Sequence, residues 1–203
     1  MANVKIGTSG WMYTHWEGNF YPSNMPTSSY LAFYGKNFDT VEVNSSFYYS
    51  PQKHTIENWL QQTPPNLVFS YKASRYITHL KKLKEPKESL HKLFVTLEYF
   101  ENKLGPILFQ LPSRWTFQKG RLDSFLERLT PAYQYTFEFR DTSWLCQETY
   151  DLLAEHKCSL CFYDYQGYQS PEEITADFIY IRLHGPYKEP YTGSYSAQKL
   201  IHY

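Results

Sequence analysis

Short runs of apolar and β-branched residues recur along the chain, separated by segments with the spacing of amphipathic helices. The short runs predict strands, and apolar residues repeating at helical spacing predict helices. The predicted strands are Val4–Thr8, Thr40–Asn44, Leu67–Lys72, Pro106–Gln110, Tyr135–Phe139, Ser159–Phe162 and Phe178–Leu183. The alternation of strand and helix indicates an α/β fold with a parallel sheet.

The clearest predicted helix covers Pro86–Leu104, where leucine and phenylalanine side chains repeat on one face. Proline suits the first helical turn, and Gly105 suits the position just after the helix ends. Weaker helical patterns cover Ser28–Asn37, Lys53–Gln62, Leu122–Leu129, Gln147–Lys157 and Ser196–His202. No linker or low-complexity tract divides the sequence, so we expect residues 1–203 to form a single α/β barrel domain.

The polar residues of the predicted strands distinguish between two kinds of parallel sheet. Side chains two positions apart share a face, so Glu42 and Asn44 lie on one face and valines take the other. The same alternation recurs in the strands that contain Lys72, Glu138 and Arg182. An open sheet would bury these charges beneath helices, whereas the lumen of a barrel opens to water and ligand. The pattern therefore favours a barrel over an open doubly wound sheet.

In a parallel barrel, functional groups lie at the carboxyl ends of the strands and in the loops that follow. The predicted strands place a set of polar side chains there: Glu42, Asn44, Lys72, Gln110, Glu138, Arg140, Asp164, Arg182 and His184. Carboxylates and cations held close together shift each other's pKa values, as proton transfer requires. The alternative is an ion-pair network that only neutralises charge inside the barrel. The set exceeds what packing needs, so we expect a functional site.

The carboxylates predict the chemistry. Glu42 and Glu138 can act as acid and base, as in hydrolysis of a glycosidic bond, with Asp164 and His184 assisting them. Proton abstraction beside a carbonyl group by His184 or Lys72 is an alternative. These residue types predict an enzyme of the hydrolase or isomerase type.

The cations and amides predict the ligand. Arg140 and Arg182 offer planar guanidinium groups to a carboxylate or a phosphate, and Lys72 adds a point charge. Asn44 and Gln110 would contribute hydrogen bonds. The expected ligand is therefore a small anionic compound that bears a sugar or a phosphate.

The same residues offer ligands for a divalent metal. Oxygen-rich sites with one imidazole suit Mg²⁺ or Mn²⁺, which makes Glu42, Glu138, Asp164 and His184 candidate ligands. No HxH, HxxxH or DxD spacing marks them, and the sequence lacks GxGxxG and P-loop motifs. No organic cofactor is therefore evident, and a divalent metal stays an open alternative.

Composition narrows the class of partner. Twenty Lys and Arg balance 20 Asp and Glu, so no global basic field exists to attract nucleic acid or an anionic membrane. Aromatic residues make up 19% of the chain, and we expect Trp11 and Tyr13 to contact ligand. A competing hypothesis is a non-catalytic module that binds a metabolite or single-stranded nucleic acid by stacking on Trp11 and Trp115.

One basic cluster stands out. Arg75–His79 is followed closely by Lys81, Lys82 and Lys84. A contact with phosphate or nucleic acid is one interpretation, but two glutamates follow directly, so a solvated face is favoured.

The cysteines and the start of the sequence predict the compartment. Cys146, Cys158 and Cys161 are too few for a disulfide framework, and nothing completes a zinc site around the last two, so we expect buried thiols. The first residues lack a signal-peptide pattern, and no apolar run is long enough to span a membrane. We expect a cytoplasmic protein without membrane contact, and the oligomeric state is left open.

Several stretches resemble the YecE-like family, domain of unknown function 72. They are Ile6–Trp11, Thr40–Tyr48, Arg75–His79, Leu104–Pro112, Phe137–Arg140 with Ser143-Trp144, and Thr175–Gly185. The resemblance covers essentially the whole chain and implies a TIM-type (β/α)8 barrel of bacterial or archaeal origin. It implies no established reaction, cofactor or catalytic residue. The family's polar signature matches the predicted site residues except Asp164.

The resemblance also implies an incomplete barrel. Family members resemble this chain up to its C-terminus and then continue into a last strand. We therefore expect seven barrel strands, with the eighth βα unit missing and the chain ending in or after the helix that follows the seventh strand.

Overall fold

Strands and helices alternate through residues 3–201, which the computed structural model describes. The strands are β1 (Gly7–Thr8), β2 (Thr40–Val43), β3 (Val68–Lys72), β4 (Leu104–Leu111), β5 (Tyr135–Phe139), β6 (Ser159–Tyr165), β7 (Tyr168–Gln169) and β8 (Tyr180–Leu183). The helices are α1 (Tyr30–Tyr34), α2 (Lys53–Gln62), α3 (Pro86–Glu98), α4 (Lys119–Leu126), α5 (Gln147–Glu155) and α6 (Ala197–Ile201). This is the predicted α/β fold with mostly parallel strands.

The chain divides into two compact units. Unit 1 comprises the chain up to Phe109 together with Arg128–Tyr133, and unit 2 comprises Gln110–Glu127 and the chain from Gln134 onward. Three expectations depend on how the two units are arranged, and they stay predictions: the (β/α)8 barrel, its missing eighth unit and the single domain.

Unit 1 is built on the parallel strands β1, β2, β3 and the first part of β4, which pair in that order. β1 can pass close to β2 because residue 7 is glycine. A Cβ atom on Gly7 would lie only 1.9 Å from the carbonyl oxygen of Thr40. The register places Glu42 beside Ser70, which confirms that polar residues of β2 and β3 share one face.

The opposite face of these strands carries the apolar core of unit 1. Val41 pairs with Phe69, and both side chains are fully buried. The Trp59 ring of α2 lies 6.2 Å from the Phe69 ring, and the Phe100 ring lies 5.6 Å from it. Trp11 joins this cluster edge-on, with its ring 5.1 Å from that of Trp59. Aromatic packing therefore holds the strands against α2 and against the segment that follows α3.

Unit 2 is built on β5, β6 and β8, which run parallel to one another. Thr136 pairs with Ser159, and Tyr163 pairs with Arg182. On the face away from these polar residues, Trp144 stacks on Phe139 with ring centres 5.1 Å apart. The alternation along each strand therefore separates an aromatic core from a polar face.

The connection from β6 to β8 differs from the predicted pattern, because it contains the short strand β7. Tyr165 and Tyr168 are joined by Gln166 and Gly167, whose φ angles of 55° and 75° suit the two-residue turn of a tight hairpin. A strand of two residues leaves no periodic signal, so the sequence did not reveal it.

Element boundaries follow the prediction closely in most places. β5 and α2 match it, whereas α3 ends at Glu98 rather than at Leu104. Glu101 adopts a left-handed φ of 51°, which breaks the helix before β4 begins. The predicted helix Ser196–His202 corresponds to α6, and its last residue lies outside the described part. No helix within residues 3–201 is long and apolar enough to cross a membrane.

Candidate functional site

Glu138 lies at the centre of a charged cluster in unit 2. Its side chain is fully buried, and its two carboxylate oxygens accept hydrogen bonds from different arginines. Arg140 Nε donates to Oε1, and Arg182 Nη1 donates to Oε2 at 2.6 Å. Glu138 and Arg140 share a face of β5, and the register of β6 with β8 brings Arg182 to the same face. The structure therefore brings together these three predicted site residues.

The two guanidinium groups decide the charge of Glu138. Burial alone raises the pKa of the Glu138 carboxyl, but the positive charges of Arg182 and Arg140 outweigh burial and lower the pKa to about 2. Glu138 is therefore an anion at any physiological pH. Together with the two arginines, it gives a buried cluster with a net positive charge.

Arg140 makes the most varied contacts in the cluster. Its Cζ atom lies 4.7 Å from the ring centre of Tyr163 and 4.1 Å from that of Tyr165. Its Nη2 lies 3.0 Å from Nε2 of His184. Within the described part of the chain, Nη1 has no hydrogen-bond partner. Arg140 is thus held in place with the N–H groups of Nη1 left for a ligand.

The contact with Arg140 sets the protonation of His184. A guanidinium group only donates hydrogen bonds, so Nε2 of His184 accepts and carries no proton in this arrangement. The rings of Tyr165 and Tyr191 lie nearly perpendicular to the imidazole, at 5.4 and 5.6 Å. The backbone N–H of His184 donates to the carbonyl of Asp164 at 3.0 Å. The imidazole is therefore held in place, with Nε2 as the acceptor towards Arg140.

Gln110 and Cys161 complete the surroundings of the pair between Glu138 and Arg182. Gln110 Oε1 lies 3.5 Å from Arg182 Nη1, at the limit of a hydrogen bond. The Cys161 thiol lies 3.9 Å from Glu138 Oε2. Of the predicted residues in unit 2, only Asp164 stands apart from this cluster.

Asp164 lies on the other face of β6. It pairs with Leu183, whereas Tyr163 pairs with Arg182. In the described part of the chain, the Asp164 side chain makes no ion pair or hydrogen bond, and only its backbone touches His184. The sequence reasoning placed Asp164 by its position near a strand end and missed Tyr163 and Tyr165. Cys161, Tyr163 and Tyr165 are spaced two positions apart along β6, so their side chains share one face. This spacing is visible in the sequence and could have identified both tyrosines.

Three predicted site residues, Glu42, Asn44 and Lys72, lie in unit 1. Glu42 and Lys72 are buried, with 5% and 7% of their surfaces exposed. The Nζ atom of Lys72 lies 4.5 Å from the ring centre of Phe47. The side-chain oxygen of Asn44 is buried and has no hydrogen-bond partner within residues 3–201. The sequence predicted these three residues as members of one larger site, and it did not predict the contact between Lys72 and Phe47.

The tryptophans predicted to stack on ligand are core residues. Trp11 is 7% exposed and packs on Trp59, and Trp115 is 5% exposed and packs on Trp144 at 4.8 Å. Tyr13 is half-buried; its hydroxyl donates to the Ser9 carbonyl. These placements favour packing over ligand contact for Trp11 and Trp115.

The structure also describes the candidate metal ligands and the cysteines. Among the residues that the structure describes, no group of three or more His, Cys, Asp or Glu side chains is placed to hold a metal ion. All three cysteines are thiols rather than disulfides. Burial raises the pKa of the Cys158 thiol to about 12, which makes it unreactive.

A model of the family described as "Protein of unknown function DUF72" matches residues 5–202. The chain belongs to the DUF72 family. It is 26% identical over 156 residues to the UPF0759 protein YunF of Bacillus subtilis, covering 73% of this chain and 54% of YunF. It is 24% identical over 140 residues to the UPF0759 protein YecE of Escherichia coli, covering 68% of this chain and 48% of YecE. The chain thus spans about half the length of the curated relatives it matches.

Solved structures of DUF72 proteins resemble this fold. A family member from Thermotoga maritima MSB8 has a TM-score of 0.83 and 29% identity, and the match covers 98% of this chain and 84% of that one. A member from Enterococcus faecalis V583 has a TM-score of 0.59 and 20% identity, covering 78% of this chain and 70% of that one. The YecE-like assignment made from sequence is confirmed, and the names of these relatives state no reaction.

Proposed function

We propose that this DUF72 protein binds the carboxylate or phosphate group of a small, sugar- or phosphate-bearing compound at Arg140 and transfers a proton at His184. The contact between Arg140 Nη2 and His184 Nε2, at 3.0 Å, carries the proposal. It sets a donor for an anion directly against an unprotonated base.

The cluster is organised for an anion before the ligand arrives. Glu138 fixes both arginines through charge-assisted hydrogen bonds, and two tyrosine rings fix the plane of Arg140. Donors that are already oriented need little reorganisation when they meet negative charge. One carboxylate against two guanidinium groups leaves a positive charge that an anion would balance.

The proton transfer would then fall to His184. An anion on Nη1 and Nη2 of Arg140 would draw Nη2 away from the imidazole and expose the lone pair of Nε2. That nitrogen could remove a proton from a carbon beside a carbonyl group, as in isomerisation, or from water, as in hydrolysis. The anionic ligand and Glu138 would stabilise the imidazolium that forms.

Glu138 fits an orienting role better than the acid–base role predicted from sequence. A carboxylate with a pKa of about 2 and both oxygens bound to arginines is a weak base. The acid–base role predicted for Glu42 and the binding roles predicted for Lys72 and Asn44 concern unit 1 and stay predictions from the sequence. Asp164 contributes to this scheme only through its backbone carbonyl, which accepts a hydrogen bond from the N–H of His184.

Proton exchange tests the proposal directly. Purified protein is incubated in D₂O with a panel of sugar phosphates and hydroxy acids, with and without Mg²⁺. Exchange of carbon-bound protons is followed by ¹H NMR, and hydrolysis by ³¹P NMR. We expect one compound to be turned over, and His184→Gln to slow turnover by about 100-fold or more while it keeps binding. Glutamine retains an acceptor for Arg140 but cannot take up a proton.

The variants separate binding from chemistry. Arg140→Gln is expected to lose binding, and Asp164→Asn, on the other face of β6, is the matched control that leaves both intact. Ligand affinity that is unchanged in Arg140→Gln would contradict the proposal. Binding that needs Arg140 but is never accompanied by turnover would instead support a non-catalytic metabolite-binding module, the alternative predicted from sequence.

The protein partners already present in the cluster support that alternative, because both oxygens of Glu138 accept hydrogen bonds from arginines. Its nucleic-acid form is less well supported, because Trp11 and Trp115 are buried. The three thiols are consistent with the predicted cytoplasmic setting, which remains part of this proposal.

A further inference from the structure

Two cationic side chains and a histidine of unit 1 contact two neighbouring aromatic rings. The Nζ atom of Lys72 lies 4.5 Å from the centre of the Phe47 ring, and the His79 ring lies 5.0 Å from it. The guanidinium carbon of Arg75 lies 6.0 Å from the centre of the Tyr48 ring. These contacts collect positive charge at the carboxyl ends of β2 and β3.

A hydrogen bond and a helical turn bring these side chains close to the two rings. Ser46, in the turn that follows β2, donates from its hydroxyl to the carbonyl of Lys72 at 2.6 Å and so ties this turn to the end of β3. After β3 the chain forms a single wide helical turn, Tyr76–Leu80, anchored by the buried Ile77 and Thr78. Wide turns of this kind are frequent at functional sites. This one carries His79 towards Phe47.

The three side chains differ in depth. Lys72 is buried, His79 is half-buried and Arg75 is exposed. Burial lowers the pKa of His79, and the charges of Lys72 and Arg75 lower it further, so both are close enough to act on the imidazole. An anion bound beside these two cations would reverse this effect and favour the protonated form of His79.

The basic segment beyond His79 behaves differently. Lys81 pairs with Glu85 at 3.3 Å on an exposed surface, which agrees with the solvated face favoured from sequence. His79 turns inward instead. The Nδ1 atom of His79 is hydrogen-bonded to Thr78 Oγ1 at 2.9 Å, and Nε2 has no hydrogen-bond partner in the described chain.

We propose that Lys72, Arg75 and His79 form a binding site for a phosphoryl group in unit 1. Arg75 supplies a planar pair of donors at the rim, and Lys72 supplies a point charge at the base. His79 supplies Nε2–H once it is protonated, while Nδ1–H keeps Thr78 Oγ1 as its acceptor. Three donors of different depth suit the oxygens of a tetrahedral dianion better than a planar, singly charged carboxylate.

The response of His79 to phosphate tests the site. The histidine resonances are followed by NMR as a function of pH at constant ionic strength, in sodium chloride and in sodium phosphate, and His79→Gln assigns the signal. Phosphate is expected to raise the pKa of His79 by about one unit, because a bound dianion favours the imidazolium. Glucose 6-phosphate is the second probe. Either ranking of the two probes supports the site and shows whether it takes free or esterified phosphate.

Two variants on the same loop separate a built site from general charge. Arg75→Gln, at an exposed position where folding is not at risk, is expected to reduce the phosphate-induced shift at least threefold. Lys84→Gln removes an equal charge from the exposed loop and is expected to leave the shift unchanged. A His79 pKa that is the same in chloride and phosphate would overturn the proposal. So would equal losses in the two variants.

Discussion

Tyr163 pairs with Arg182 across β6 and β8, and this register places the next residue of β6, Asp164, on the opposite face of the sheet. Two buried carboxylates of unit 2 therefore differ sharply: Glu138 holds two arginines, and Asp164 holds neither. The contribution of each carboxylate to stability can be compared by replacing each residue with its amide.

Glu138→Gln is expected to destabilise the protein strongly. Removing one partner of a buried ion pair leaves charge unpaired, which costs about 3–5 kcal/mol, and here two arginines lose their partner. Urea denaturation gives the change in free energy of unfolding. Asp164→Asn is the control and is expected to cost less than about 1 kcal/mol. Equal losses in the two variants would show that Glu138 has no special structural role.

The pKa of Glu138 makes stability depend on pH in a defined window. The folded-state pKa of about 2 lies below the ordinary value of 4.5, so the unfolded state takes up the proton first as the pH falls. The stabilisation is present above about pH 4.5 and is lost towards pH 2, and amounts to roughly 3 kcal/mol. Unfolding measured from pH 2 to 7 should show this loss in the wild type. If Glu138→Gln retains the full slope, the loss comes from other groups.

Tyr165 is expected to position both members of the proposed site. Its ring lies 4.1 Å from the Arg140 guanidinium and 5.4 Å from the His184 ring. Tyr165→Leu should weaken binding of the anionic ligand about fivefold, since contacts between a cation and an aromatic ring contribute about 0.5–2 kcal/mol. Isothermal titration calorimetry measures the change. Tyr168→Leu, in the adjoining hairpin strand, should leave affinity within twofold, and an equal effect of the two would point to the hairpin instead.

The cysteines are expected to react at very different rates. Burial holds the Cys158 thiol almost wholly protonated, whereas Cys146 is partly exposed. A colorimetric disulfide reagent should therefore modify one thiol quickly in the native protein and all three in denaturant. Cys146→Ser should abolish the fast phase and Cys158→Ser should preserve it. A fast phase that survives Cys146→Ser would contradict the assigned burial.

Trp11→Ala is expected to act on stability rather than on ligand binding. The indole is buried against Trp59 and Phe69, and removal of a buried aromatic side chain costs about 3–5 kcal/mol. Denaturation and calorimetry on the same variant distinguish the two roles. Trp11→Phe, which retains an apolar ring, should recover much of the stability. Lost affinity with unchanged stability would restore the role predicted from sequence.

The sequence predicted the fold well because its signals are periodic. Strand β5 and helix α2 were found with their bounds, and alternation placed Glu138 and Arg140 on one face. Features that depend on single residues were not predicted, such as the hairpin turn at Gln166 and the left-handed Glu101 that ends α3. Local backbone conformations of this kind add no periodicity to the sequence.

The sequence predicted which residues belong to the candidate site better than it predicted the contacts between them. Arg182 and His184 were found because polar residues alternate with apolar ones along β8. Asp164 was included for its charge and its position near a strand end, although parity with Cys161 assigns Tyr163 and Tyr165 to the polar face. Which carboxylate meets which guanidinium depends on register between strands, and one sequence does not contain that information.

The tryptophans give each unit its own optical reporter. Trp11, Trp16 and Trp59 lie in unit 1, and Trp115 and Trp144 lie in unit 2. Replacing all tryptophans of one unit with phenylalanine leaves the fluorescence of the other unit to be followed alone. Coincident unfolding curves from the two variants would mean a single cooperative transition, and separate curves would give each unit a stability of its own.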